Sequence, residues 1–246
     1  MKMKMKWLWF GFFMILGISS IRLFNHPNIY ADGPPHDRKY YEKHHKITWE
    51  KPTQKKWIAL TFDDGPSSNV TQEILQVLQQ YQAKATFFCL GYKVQRYPEI
   101  ARQVVSEGHE IANHTFHHKS MNNLSKRKLE SEIEMTQKVI FQTTGMQPKL
   151  FRPPEGVYTN QLIETVQKHQ LQLIMWSWDQ DTKDWSKKRR KSVIVNKVIK
   201  NASNGDIVLF HDTQRKTVLA LKEILPELKK QGYQFVTVSQ LLHAND

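Results

Sequence analysis

The chain contains a single cysteine, so no intramolecular disulfide can form and packing alone must hold the fold. Cys89 lies in the apolar run Ala85-Thr86-Phe87-Phe88-Cys89-Leu90, where it reads as a small core hydrophobe and a poor choice of nucleophile. No apolar run reaches the ~20 residues that comfortably span a bilayer. The longest uncharged stretch, Trp7 to Ile21, is closed by Arg22 and preceded by Lys2, Lys4 and Lys6. That pattern reads as a secretory signal or an uncleaved anchor over residues 1–24, and either one exports the rest of the chain. Acidic residues are scarce, 23 against 36 Lys and Arg, and the formal charge is +13. The excess is +5 in residues 1–54 and +8 in the rest, so the basic bias is not confined to a tail. Such a chain suits an anionic partner. Zinc-finger spacing and basic-aromatic recognition motifs are missing, which makes nucleic acid the weakest such partner and leaves a membrane surface or an acidic wall polymer.

Internal repeats are also absent. Residues 25–54 are rich in Pro, His, Lys and Tyr, carry Gly33-Pro34-Pro35, and read as a linker with neither helical nor strand period. From Lys56 onward strand-like runs at 57–62, 85–90, 110–113, 149–152, 171–178, 206–210 and 235–238 alternate with helical patterns. Helices are expected over 70–81, from Pro98 to Gly108, over 125–145, over 192–201 and over 217–231, with Pro226 kinking or splitting the last. About seven βα units in one unit of 55–246 predict a parallel sheet. A small irregular barrel fits that length better than two domains, with an open doubly wound sheet as the alternative.

In a parallel βα fold the carboxyl ends of the strands gather in one mouth. Thr61-Phe62-Asp63-Asp64-Gly65-Pro66 ends the first run with two adjacent carboxylates. Like charges repel there and each loses hydration, so a cation or a basic partner has to compensate. His114-Thr115-Phe116-His117-His118 comes after the third run, and a spacing of four can aim two imidazoles at one ion. One carboxylate with two imidazoles leaves open positions for water and substrate, the pattern of a catalytic metal. Phe151-Arg152-Pro153-Pro154-Glu155-Gly156 comes after the fourth run, and Asp181-Thr182-Lys183-Asp184-Trp185 after an aromatic one. The strand ending in His211-Asp212 offers an acid-base group suited to neutral pH.

Five strand-end clusters in this order resemble the polysaccharide deacetylases of carbohydrate esterase family four, the NodB homology domain, over about residues 56–242. The resemblance implies a single distorted (β/α)7 barrel. It implies an exported hydrolase that removes N-acetyl groups from a GlcNAc- or MurNAc-containing polysaccharide of the cell wall, with peptidoglycan as the expected polymer. Asp63 is matched to the catalytic base, and Asp64, His114 and His118 to the ligands of a divalent metal. Zinc is the expected ion, and cobalt or another divalent ion is compatible. His211 is matched to the general acid, Arg152 to the partner of the base, and Asp181 to the carboxylate supporting the acid, with Asp184 as second choice. Pro154, Trp185 and Leu209 would line the acetyl pocket, and the backbone N–H of Glu155 would face the oxyanion. Glu155 departs from the family, which often carries an aromatic there, and its charge is unfavourable unless it turns away. A catalytically silent wall-binding protein and an acetyl esterase on other glycans are the competing expectations.

Overall fold

A computed structural model describes residues 36–244, so the segment read as a signal or anchor lies outside the described residues. In chain order the strands are β1 (Ile47–Thr48), β2 (Trp57–Gly65), β3 (Thr86–Cys89), β4 (Glu110–Asn113), β5 (Leu150–Phe151), β6 (Gln172–Ile174), β7 (Ile207–His211) and β8 (Gln234–Val236). The helices are α1 (Arg38–Lys43), α2 (Val70–Gln80), α3 (Gly91–Arg96), α4 (Pro98–Ser106), α5 (Lys126–Thr144), α6 (Asn160–Lys168), α7 (Lys191–Asn201), α8 (Arg215–Lys230) and α9 (Val238–Leu242). All strand pairs among the described residues are parallel, in the order β1-β6-β5-β4-β3-β2-β7, with β8 against the first residues of β2. Buried on both faces, β2 reads as the continuous apolar run expected of a central parallel strand.

The seven expected strands are β2 to β8, and each sends one side chain into a common interior: Ala59, Phe88, Ala112, Leu150, Ile174, Ile207 and Val236. An open doubly wound sheet has no such shared interior. The gap between β6 and β7 is closed irregularly by the chain after β6, through Ser177 N–H to the Ile207 carbonyl and Leu209 N–H to the Gln180 carbonyl. The result is a distorted (β/α) barrel, held from outside by helices packed on Phe62, Phe87 and Phe210, whose rings stack 5.0 and 5.6 Å apart.

Two expectations need correction. The described part of the 25–54 span is α1 and β1, with Tyr41, Ile47 and Trp49 buried in a core with Phe151, Tyr158 and Leu173. β1 adds an eighth strand on β6, pairing Ile47 with Leu173 and Thr48 with Ile174. A two-residue strand shows no period, which is why the segment reads as irregular. Beyond it, the Lys51 carbonyl lies 1.9 Å from where a Cβ on Gly205 would sit, so only glycine (here at φ +92°) admits this close passage. Pro226 likewise does not split α8, which runs unbroken through it with Ile224, Leu225 and Leu228 on either side wholly buried. Ile47→Ala is therefore expected to lower the unfolding free energy by about 2–4 kcal/mol in a denaturant titration, whereas a substitution in a solvated linker would leave it unchanged.

Candidate active site

Asp63 and Asp64 stand at the end of β2, and the sharp turn beyond them is possible only because residue 65 is glycine. A Cβ there would lie 2.0 Å from the Asp212 carboxylate, which packs over it from the end of β7. Asp64 takes a left-handed backbone (φ 73°), which aspartate tolerates better than most residues. Its carbonyl accepts a 2.6 Å hydrogen bond from Lys93 Nζ on α3. After β4, the Asn113 side-chain oxygen accepts the Thr115 N–H at 2.9 Å, folding the chain back so that His114 and His118 face Asp64.

The geometry assembles the expected ligand set. Asp64 Oδ1 lies 3.6 Å from His114 Nε2 and 3.2 Å from His118 Nε2, and the three donor atoms fall within 4.8 Å of one another. Asp64 Oδ1 is buried and accepts no hydrogen bond, a cost that a cation at this point removes. His114 Nδ1 is 2.7 Å from the Arg152 carbonyl, which fixes the proton on that nitrogen and turns the Nε2 lone pair toward Asp64. Burial lowers the His114 pKa despite the two nearby aspartates, so the ring is neutral, as a ligand must be. For Asp64, burial pushes the pKa up, but His114, His211, His118 and Lys93 together hold it below the ordinary value. One carboxylate and two imidazoles are a donor set that fits a divalent metal ion.

Asp63 is nearly inaccessible and lies against Arg152, whose Nη1 donates to Asp63 Oδ1 at 2.7 Å and to Thr61 Oγ1 at 2.8 Å. The second oxygen, Oδ2, is 3.8 Å from His114 Nε2 and faces the ligand cluster. His211 at the end of β7 pairs through Nδ1 with Asp184 Oδ1 at 2.7 Å, and its backbone N–H donates to Asp184 Oδ2. Burial would lower the His211 pKa, but the Asp184 hydrogen bond and charge, with Asp63 and Asp64 beyond, push it up to about 9. The support for His211 is thus Asp184, fully buried and also bonded by Thr217 Oγ1, and not Asp181. Asp181 forms a β-bridge with Leu209 and accepts the Lys183 N–H, so it shapes the turn that presents Asp184.

Leu209 is buried in β7, Pro154 is buried in a short 3-10 turn, and Trp185, 56% exposed, projects beside Asp184. Glu155 adopts φ 60°, and its carboxylate accepts a 3.1 Å hydrogen bond from Ser120 Oγ, which ties the charge to the neighbouring loop.

One contributor left no motif. Glu132, a buried carboxylate on α5, accepts the backbone N–H groups of Phe116 and His117 at 3.0 and 2.8 Å, and its other oxygen contacts His117 Nδ1 at 2.9 Å. It clamps the loop between His114 and His118, with Lys119 Nζ 3.7 Å away. In sequence Glu132 is one of several acids on an amphipathic helix; its only signal is that it falls on the apolar face beside Leu129 and Ile133.

Glu132→Ala removes the single oxygen that accepts both N–H groups and leaves the His114–His118 loop without its clamp. Zn2+ binding, read by competition with a chromophoric chelator, should weaken about tenfold. Asp184→Asn removes the group that raises the His211 pKa. His211 loses its proton as pH climbs through its pKa, so the alkaline limb of kcat/KM should move to lower pH by about one unit or more. An unmoved limb would detach that limb from His211.

The family profile described as polysaccharide deacetylase matches residues 50–174. A peptidoglycan-N-acetylglucosamine deacetylase of Bacillus cereus is 49% identical over 208 residues, covering 83% of this chain and 97% of that protein. The peptidoglycan-N-acetylmuramic acid deacetylase PdaC of Bacillus subtilis is 41% identical over 204 residues, covering 81% of this chain and 42% of the longer relative. A crystal structure of a peptidoglycan N-acetylglucosamine deacetylase bound to 4-naphthalen-1-yl-N-oxidanyl-benzamide superposes with a TM-score of 0.79 at 31% identity, covering 84% of this chain and 97% of that one. Barrel, strand-end clusters and matched relatives agree, and the chain belongs to the polysaccharide deacetylase family.

Proposed function

We propose that the protein is a metal-dependent hydrolase that removes N-acetyl groups from the amino sugars of peptidoglycan. The observation that carries this reading is the Asp64–His114–His118 donor triangle, set beside an Asp63 that has one oxygen held by Arg152 and the other facing the triangle. A divalent ion held by these three residues would polarise an acetamide carbonyl and lower the pKa of a water molecule beside it. Zinc suits an oxygen-nitrogen-nitrogen donor set.

Asp63 is the base. Arg152 occupies its Oδ1, so Oδ2 takes the proton from the attacking water. The Glu155 N–H, in its left-handed turn, is the donor for the oxygen of the tetrahedral species, and the carboxylate bonded to Ser120 is kept from that oxygen. His211, protonated at neutral pH and fixed at Nδ1 by Asp184, gives the Nε2 proton to the departing sugar nitrogen. Water and amide are consumed, and acetate and a free amine leave. Trp185, Leu209 and Pro154 wall the acetyl methyl. The peptidoglycan assignment draws on relatives named for GlcNAc and for MurNAc deacetylation, and both sugars belong to that polymer.

The basic and then apolar N-terminal segment supports export to the cell surface, as a secreted or tethered enzyme. Among the described residues no helix is long and apolar enough to cross a membrane.

Acetate release from purified peptidoglycan, chitin oligomers and acetylated xylan tests the reading. Peptidoglycan should be hydrolysed fastest, a chelator should abolish turnover and Zn2+ should restore it. Asp63→Asn should slow turnover by about 10²–10⁴-fold while retaining Zn2+. A wild-type rate in that variant removes the base assignment. Faster release from acetylated xylan would favour an esterase, and a chain that binds wall polymer but shows neither zinc binding nor chelator-sensitive activity would favour a silent binder.

A further inference from the structure

The chain that presents Asp184 and Trp185 to the mouth continues as Ser186-Lys187-Lys188-Arg189-Arg190-Lys191, with Lys183 just before them. Six cations thus fall within nine residues, next to the group that fixes His211. Lys183, Lys187, Lys188, Arg190 and Lys191 are exposed. Only Lys191 forms an ion pair among the described residues, with Glu223. Some exposed cations pair with nearby acids, as in Arg102–Glu99, Lys168–Glu130 and Arg215–Glu73. Others, such as Lys126, Arg127 and Lys128, form no ion pair among the described residues, so what marks this run is its place beside the mouth. Here the nearby acids are committed elsewhere, Asp184 to His211 and Thr217, and Asp181 to the Lys183 N–H. The segment is nonetheless held in place. Lys216 Nζ, in the first turn of α8, donates to the Ser186 carbonyl at 2.7 Å and to the Arg189 carbonyl at 3.4 Å, and the Arg189 N–H bonds the Ser186 carbonyl. A cation is therefore used to order the backbone of a loop whose own side chains already repel one another.

We propose that Lys187, Lys188 and Arg190 form a cationic ledge that binds the free carboxylates of peptidoglycan stem peptides while an acetylated sugar of the same strand lies in the adjacent mouth. This rests on the peptidoglycan reading above. At 3.8 Å per residue, Lys187, Lys188 and Arg190 are at most ~11, ~15 and ~23 Å of chain from Asp184, which keeps an anion on them within reach of a polymer strand whose sugar lies in the mouth. Screening over about 10 Å at 0.1 M salt confines the ledge's pull to that neighbourhood. A membrane surface is a poorer fit, since no apolar residue is interleaved between Ser186 and Lys191. The ledge would act on KM, holding the strand in place, and leave the chemistry of the bound sugar unchanged.

The test compares the full chain with its Lys187→Gln/Lys188→Gln/Arg190→Gln variant on three substrates. For peptidoglycan with intact stem peptides at low salt, KM of the variant should rise about three- to tenfold, with kcat unchanged, in keeping with the small worth of each exposed charge pair. For neutral chitin oligomers both constants should match the wild type. Peptidoglycan whose peptide carboxylates are amidated should raise the wild-type KM to the variant's level, and added salt should do the same. Equal loss on the neutral oligomer, or no loss on either, overturns the ledge. A loss seen only with walls that retain teichoic acid, or an affinity for anionic vesicles that the variant lacks, assigns the cations to another anion and overturns it as well. Absence of acetate release from every substrate would instead defeat the reading of function. Co-sedimentation of the two proteins with intact and amidated peptidoglycan would then still decide the ledge.

Discussion

A guanidinium with no solvent access must be neutralised and hydrogen-bonded in full, and the way Arg152 meets that demand sets the geometry of the mouth. Its Nη1 reaches Thr61 and Asp63 on β2, and its Nε and Nη2 take the carbonyls of Ile174 and Met175 at the end of β6. Its plane lies 4.1 Å over Phe88, one of the side chains that fill the barrel interior. Its own carbonyl receives His114 Nδ1. One residue thus fastens Asp63, the proposed base, orients His114, a proposed metal ligand, and seals the barrel beneath both. Lysine could not substitute, since a single ammonium lacks the planar fork that meets four acceptors at once.

The two histidines nearest the chemistry are tuned in opposite senses by what touches Nδ1. A carbonyl accepts from His114, and burial then keeps the ring neutral with Nε2 free to donate a lone pair. A buried carboxylate accepts from His211, and the pair favours the imidazolium with a proton at Nε2. The roles proposed for the two rings, ligand and acid, therefore follow from a difference of one partner group. Asp184 can do this because Thr217 and the His211 N–H also donate to it, so its charge is stabilised although it is fully buried.

The alternation of strands and helices was legible because parallel strands buried on both faces are near-continuous apolar runs, and the strand-end clusters were legible because chemistry collects there. Residues Asp63, Asp64, His114, His118, Arg152 and His211 converge as their motifs imply. The choice between Asp181 and Asp184 was not legible, since both lie in one turn and only the path of the chain along β7 decides which faces His211. Glu132 was hidden because the contacts that clamp the loop are to backbone N–H groups, which carry no sequence signature. The α1–β1 segment was missed because two residues are too few to show a strand period, and its Tyr41 and Trp49 gain meaning only from the surfaces they cover.

Backbone strain gives an independent view of the same site. Among the described residues eight non-glycine positions have positive φ. His45, Gln82 and Gln170 each stand just beyond the C-cap of α1, α2 and α6, where a left-handed residue is the ordinary way to end a helix. The remaining five, Asp64, Thr115, His118, Glu155 and Lys183, all lie in the strand-end loops around the mouth. Glycine would occupy those positions without the cost of roughly 1–3 kcal/mol that a side chain incurs there. For Asp64 and His118 the side chain belongs to the donor triangle that could hold a metal ion. For Thr115 the hydroxyl accepts the His118 N–H. At Glu155 and Lys183 the side chains point to no such role, and there the strained backbone aims a neighbouring group, a donor N–H in one turn and Asp184 in the other. Apart from those three helix ends, the strained residues therefore gather in the loops whose directions the chemistry depends on.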